Sequence, residues 1–218
     1  YCYCAINFTR NRISYRLGLA YTVCLSYNLR YRTRKQEKIM ATHAMIDLET
    51  LDTQPSCQIL TLGAVKFNPL DDSEPYNEMY FKPNIDEQDA LGRTTSDDTI
   101  KWWSQQNDAV QQEAFSDSGR ISLSTIIPQL NKWMVGVDVL WGHGYGFDIT
   151  ILEDLYRSLK QPIPWQFWQV RDSRTLFSAL TNGDPRKSMQ TDLHNALADA
   201  YYQAKSVQIA YKELGIKR

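Results

Sequence analysis

The sequence predicts an α/β domain in which a mixed sheet carries helices packed against it. Three observations support this. From Met40 onward, apolar runs of strand length come first and helical periodicity dominates afterwards. Turn residues and helix-start signals separate these segments. The clearest element is a C-terminal helix over residues 193–214. Its apolar positions Leu193, Leu197, Ala200, Ala204, Val207, Tyr211 and Leu214 alternate steps of four and three, as on a helix with one face on a core.

Taken in order, residues 42–47 and 58–67 read as strands separated by a polar turn over 50–56. Asn68–Asp72 and Pro75 punctuate the chain, and 78–82 reads as a third strand ending before Pro83. Segments 96–106 and 108–115 read as helices, the first opened by Ser96, Asp97 and Asp98. A helix over 123–134 contains Pro128, which is expected to kink or shorten it. A short apolar strand over 138–141 runs into the glycine-rich segment WGHGYGFD. A helix over 148–159, a short strand over 167–170 and a helix over 172–180, with Asp172 as its N-cap, precede the last helix.

With 218 residues, 43% hydrophobic and 22% charged, the chain can bury a full core without staples. Collagen, coiled-coil and disulfide-scaffold architectures are excluded. No run of about 18 uncharged apolar residues exists, so no membrane partner is expected. The net charge of −1 averages two unlike pieces. Residues 1–39 hold eight basic residues and one acid, a net +7, which leaves −8 for residues 40–218. The leader also holds Cys2, Cys4 and Cys24, and six tyrosines. A targeting peptide and a basic nucleic-acid-binding arm compete as readings of it, but its Cys and Tyr content favours an extraneous, unstructured leader. Within 40–218 only Cys57 remains, so neither a disulfide framework nor a zinc cluster is available there, and a reducing intracellular compartment is the default.

Four carboxylates stand where a purely structural protein would avoid them. Asp47 and Glu49 are two apart on a strand, so their side chains share a face and repel unless water or a cation separates them. Asp148 shares a helical stripe with Ile151, Leu152, Leu155 and Leu159; helix capping explains its residue type but less well its alignment with the core face. Asp199 lies among Ala196, Ala198 and Ala200, small neighbours that leave room for close approach. His194 falls in the first turn of the last helix, where Thr191 or Asp192 would cap. All three histidines (His43, His143 and His194) lie beside these acidic segments. Hard divalent cations take oxygen ligands, and catalytic pairs of them need several carboxylates from separate elements. A histidine near such a cage has the right pKa range to take a proton from an attacking water.

The ordered set of D-x-E, an aspartate after WGHGYGF, and H-x4-D resembles the DEDDh exonucleases, the DnaQ-like group with a ribonuclease-H-like fold. The resemblance covers residues 40–218 and none of 1–39. TIKWW at 99–103, WGHGYGFDITIL at 141–152, RDSRTLF at 171–177 and HNALADA at 194–200 look most like the phage and bacterial exonuclease A (DexA) subfamily. His143 departs from that pattern, which has a small amide there.

The resemblance implies a 3′–5′ exonuclease that hydrolyses terminal phosphodiesters of single-stranded nucleic acid to nucleoside 5′-monophosphates. It implies Asp47, Glu49, Asp148 and Asp199 as ligands of two ions, Mg2+ or Mn2+, and His194 as general base. Thr50 and Leu51 would contact the terminal nucleotide. Trp102, Trp103 and Trp141 are candidates for base stacking, with core packing as the alternative for each. The setting implied is the cytoplasm, that of a host cell if a phage encodes the protein. A non-catalytic nucleic-acid-binding module and a polymerase-associated proofreading subunit stand as alternatives. The partner implied is the 3′ end of a single-stranded DNA or RNA.

Overall fold

The computed structural model describes residues 41–144, 146–189 and 194–217. The basic leader, Thr191, Asp192 and Leu193 lie outside the described residues. Ala41–Arg218 forms one compact unit.

Strands β1 (His43–Thr50), β2 (Ile59–Phe67) and β3 (Tyr76–Pro83) form an antiparallel meander. Three helices follow: α1 (Ile85–Ala90), α2 (Asp97–Trp103) and α3 (Asp108–Phe115). After them come β4 (Arg120–Ile121), α4 (Leu123–Met134), β5 (Val139–Gly142) and α5 (Asp148–Ser158). The chain closes with β6 (Val170–Asp172), α6 (Ser173–Ser178) and α7 (Ala196–Glu213). The sheet order is β4-β3-β2-β1-β5-β6, and β5 and β6 run parallel to β1. The sheet is therefore mixed and covered on both faces, as the sequence pattern requires.

The alternation of β1 divides the core. Ala44, Ile46 and Leu48 enter an apolar cluster with α4 and α5, built on Ile126, Leu130, Ile149 and Leu152. Met45 faces the other way into a cluster with Phe67, Trp141, Phe177 and the alanine face of α7. Since successive strand residues alternate, Asp47 and Glu49 follow Met45 onto the α7 side. Ala200, Ala204 and Ala210 are fully buried, and small side chains let the α7 backbone approach β1 and β2 closely.

Several expectations change. Residues 167–169 form a 3-10 turn fixed by the Gln166 and Gln169 side chains, and the strand begins only at Val170, where pairing with Leu140 starts. Helix α4 runs through Pro128 over 12 residues without shortening, carried by its buried face. Helix α7 starts at Ala196, not 193, because Asn195 caps it by accepting from Leu197 N and Ala198 N. His194 therefore precedes the helix, in the left-handed region at φ 67°, rather than occupying its first turn. Leu214 is its exposed C-cap, not a core position. Helix α1, capped by Asn84, and the two-residue β4 carry too little periodicity to read from sequence. Asp172 caps α6 as expected. Among the described residues no helix is long and apolar enough to cross a membrane.

Candidate active site

Asp47 and Glu49 sit opposite Gly63 and Thr61 of β2, at the end of β1 where a bulge breaks the register. Helix α7 crosses this face, and its first turn brings Asp199 to them. One carboxylate oxygen from each of Asp47, Glu49 and Asp199 lies within 4.8 Å of the others. Asp148 arrives from the far edge of β1. Parallel pairing of β1 with β5 ends at Met45 and Trp141, so the later N–H groups on that edge need another partner. Asp148 supplies it: Oδ1 accepts from Leu48 N at 3.1 Å and Oδ2 from His143 N at 3.1 Å. Asp148 is the first residue of α5, and its carboxylate is held by the β1 edge and the glycine-rich loop.

All four carboxylates line one cavity of about 600 Å3, together with His143, Arg174, Arg186, Lys187, His194 and Gln203. Burial, then the charges of Asp148, Glu49 and Asp199, hold the Asp47 carboxyl well above its usual range. Glu49 is pushed up to about 8, by burial first and by Asp199 and Asp148 next. Burial raises Asp148 to about 7 against the opposing effect of three backbone N–H groups, those of Leu48, His143 and Asp148 itself, and of the Arg174 charge. Asp199 is raised by burial too. Four acids whose charged forms are disfavoured together form a cluster whose repulsion a bound cation would relieve.

The donor set fits a hard divalent ion: Asp47, Glu49 and Asp199 offer only carboxylate oxygens, within coordinating reach of a shared centre. Gln203, one turn after Asp199, is 1% exposed and donates Nε2 to Asp47 Oδ1 at 2.7 Å. Its Oε1 is buried without a hydrogen-bond partner, an orphaned acceptor at the same cavity. The sequence reading missed Gln203, although its spacing of four from Asp199 placed it on the same helix face.

His194 lines the cavity, and its N–H donates to Asp199 Oδ2 at 2.9 Å, tying the residue to the cage. Its ring meets that of Trp102 edge-on at 4.8 Å. Trp102 is 40% exposed and thus stands beside the site, whereas Trp103 is 1% exposed and donates Nε1 to Thr50 O at 2.8 Å. Trp141 does not fit the stacking expected of it. It is buried between β5 and α7 and donates Nε1 to His43 Nδ1 at 3.0 Å. His43 is accordingly a core residue, its pKa lowered to about 4 chiefly by burial. Thr50 and Leu51 are also buried and are not among the cavity-lining residues. Thr50 Oγ1 donates to Asp52 O at 2.8 Å, and Leu51 packs with Leu60, Trp103 and Ala114.

Residues 42–211 match the model of the Rv2179c-like family, described as the 3′-5′ exoribonuclease Rv2179c-like domain. The chain belongs to this family. No curated protein matches this exoribonuclease-family chain in sequence. Solved structures share its fold. Cell-death related nuclease 4 (CRN-4) superposes with a TM-score of 0.56 at 16% identity, covering 81% of this chain and 65% of that one. E. coli exonuclease I in complex with a dT13 oligonucleotide gives 0.56 at 15% identity, covering 80% and 42%. The nuclease domain of 3′hExo, a DEDDh family member bound to rAMP, gives 0.50 at 18% identity, covering 80% and 93%. The chain thus spans 65% of CRN-4 and 42% of exonuclease I. The fold of this exoribonuclease-family domain is ribonuclease-H-like, a six-stranded mixed sheet between helices.

Proposed function

We propose that residues 40–218 form a divalent-metal-dependent 3′–5′ exonuclease that trims single-stranded nucleic acid from a free 3′ end and releases nucleoside 5′-monophosphates. The observation that carries this is the meeting of Asp47, Glu49 and Asp199 within 4.8 Å in a cavity shared with Asp148. Family membership supports RNA as the first substrate to test. The motifs at 99–103, 141–152, 171–177 and 194–200 support a place near the DexA-like subfamily. Asp47, Glu49, Asp148 and Asp199 would hold two ions, Mg2+ or Mn2+. When bound, such ions neutralise the cage and stabilise negative charge developing on the phosphate. Gln203 holds the Asp47 carboxylate in place, and the Leu48 and His143 N–H groups hold that of Asp148. A ring nitrogen of His194 takes the proton of the attacking water, with the residue anchored through its N–H to Asp199. Trp102, exposed at the rim, offers a face to the terminal base.

On this proposal the leader 1–39 is no part of the catalytic unit, a reading supported by a family match that begins at residue 42. A cytoplasmic setting completes this proposal, as the exonuclease resemblance implies.

The test is degradation of matched 5′-labelled single-stranded RNA and DNA with free or blocked 3′ ends, in Mg2+, Mn2+ or EDTA. Stepwise shortening that requires the free 3′ end and the metal is expected, and Asp199→Ala is expected to abolish it with the melting transition intact. Binding without degradation in either metal would favour a non-catalytic nucleic-acid-binding module.

A further inference from the structure

We propose that Arg186 is a preorganised phosphate-binding residue of this cavity, contacting the phosphate that becomes the 5′-phosphate of the released nucleotide. The inference rests on the exonuclease reading of the same site.

Arg186 lies in a 3-10 turn, Pro185–Ser188, that has no regular-structure reason to enter the cavity, yet its side chain lines it and is only 20% exposed. Two partners fix the guanidinium. Asp184 takes Nε at 3.3 and 3.2 Å and Nη2 at 2.7 Å, while His143 Nε2 meets Nη2 at 2.5 Å. The direction of the second bond follows from its neighbours. Ser173 Oγ donates its one hydrogen to Gly142 O at 3.1 Å, so at 2.9 Å it accepts from His143 Nδ1–H. His143 Nε2 is then the acceptor for Arg186 Nη2–H. The histidine that breaks the subfamily pattern thus acts as an uncharged acceptor that orients an arginine.

A guanidinium has five N–H donors. Asp184 and His143 engage Nε and Nη2, and Nη1 makes no hydrogen bond among the described residues. Arg186 also forms its ion pair with Asp184 and with none of the four cage carboxylates. The guanidinium stands at the edge of the acidic cage, where its charge reaches Asp199 and favours that carboxylate's ionised form, and it keeps donors for an anion beside the cage. In a cavity whose other occupant would be a phosphodiester, a non-bridging phosphate oxygen is the matching acceptor. An arginine needed only to close its turn would be satisfied by Asp184. Here the strand end at Gly142, the first residue of α6 and the residue after β5 all contribute to holding it.

The experiment measures affinity for adenosine 5′-monophosphate and for adenosine by calorimetry in Mn2+, for the wild-type chain, Arg186→Met, Arg186→Lys and His143→Phe. Arg186→Met is expected to weaken the monophosphate roughly 10- to 100-fold, the scale of a charge-assisted hydrogen bond, and to leave adenosine within about twofold. Arg186→Lys should recover part of the loss. His143→Phe should weaken the monophosphate without removing the cation. Unchanged monophosphate affinity in Arg186→Met overturns the proposal, as does an equal loss for adenosine, which would make Arg186 a shaper of the cavity. If Arg186→Met melts far below wild type, the split between the two ligands in Arg186→Lys decides. Failure of the exonuclease reading shows itself separately, as a wild-type chain that releases no monophosphate from a 3′ end in either metal.

Discussion

Gly63→Ala tests whether the site depends on how closely α7 lies against the sheet. Gly63 pairs with Asp47 across β1 and β2 and faces the start of α7. A Cβ at this position would stand 2.2 Å from Ala196 C and Leu197 N, and 2.3 Å from Ala196 O. These are backbone atoms of the turn that carries Asp199, so no side chain can rotate away. Comfortable carbon contacts begin near 3.5 Å, so the turn must retreat by roughly 1 Å or more. Overpacking of this kind costs about 1–3 kcal/mol, which for a domain of this size lowers Tm by about 2–12 °C. The retreat also draws Asp199 away from Asp47 and Glu49, and a misplacement of about 1 Å costs on the order of 100-fold in rate. The assays are thermal melting and the initial rate of 3′-end trimming, corrected for the folded fraction. Wild-type rate and Tm together would refute the reasoning, since they would mean that α7 does not press on β2 at this point.

Glu49→Gln should abolish trimming yet raise the Tm of the metal-free protein at pH 8, because it removes one of four mutually repelling acids while keeping the side-chain shape; a lower metal-free Tm would contradict the repulsion. The same electrostatics set a pH dependence. The folded pKa of Glu49, about 8, lies above its unfolded value of 4.5, and that of Asp148, about 7, lies above 3.8. The folded state therefore binds more protons than the unfolded state between these limits. Their protonation stabilises the metal-free fold fully below about pH 4, and that stability is lost as pH rises to about 8. Melting curves in EDTA should fall across this window, and Mg2+ or Mn2+ should restore Tm most at the alkaline end; a flat profile would count against a desolvated cage. His194→Ala should slow trimming roughly 10²- to 10⁴-fold, the usual scale of general-base loss, and an unchanged rate would leave His194 only its backbone bond to Asp199.

Much of the fold was legible because periodicity survives in a single chain. The alternation of β1 is enough to put Asp47 and Glu49 on one face, and the stripe of α7 announces a helix on a core. Boundaries were less legible. The start of α7 depends on Asn195 reaching back over Leu197 and Ala198, a local bond that competes with other caps of similar strength. The tryptophans show the same divide: sequence marks Trp102, Trp103 and Trp141 as large and aromatic, but only packing makes Trp102 a rim residue and the other two core.

By itself, the sequence determined which residue types were available and on which face of each element they lay. It therefore supplied the acids of the cage, the histidine before the last of them and the ordered motifs. Tertiary structure alone decided what meets across long separations in the chain. It brought Asp148 to the unpaired edge of β1, 100 residues away, because an N–H that loses its strand partner must find another acceptor. It likewise carried Arg186 from a short turn to His143, a contact over 43 residues that no local spacing encodes. Periodicity reports the surroundings of one element, whereas a site is an intersection of several, and that intersection is fixed only when the core is packed.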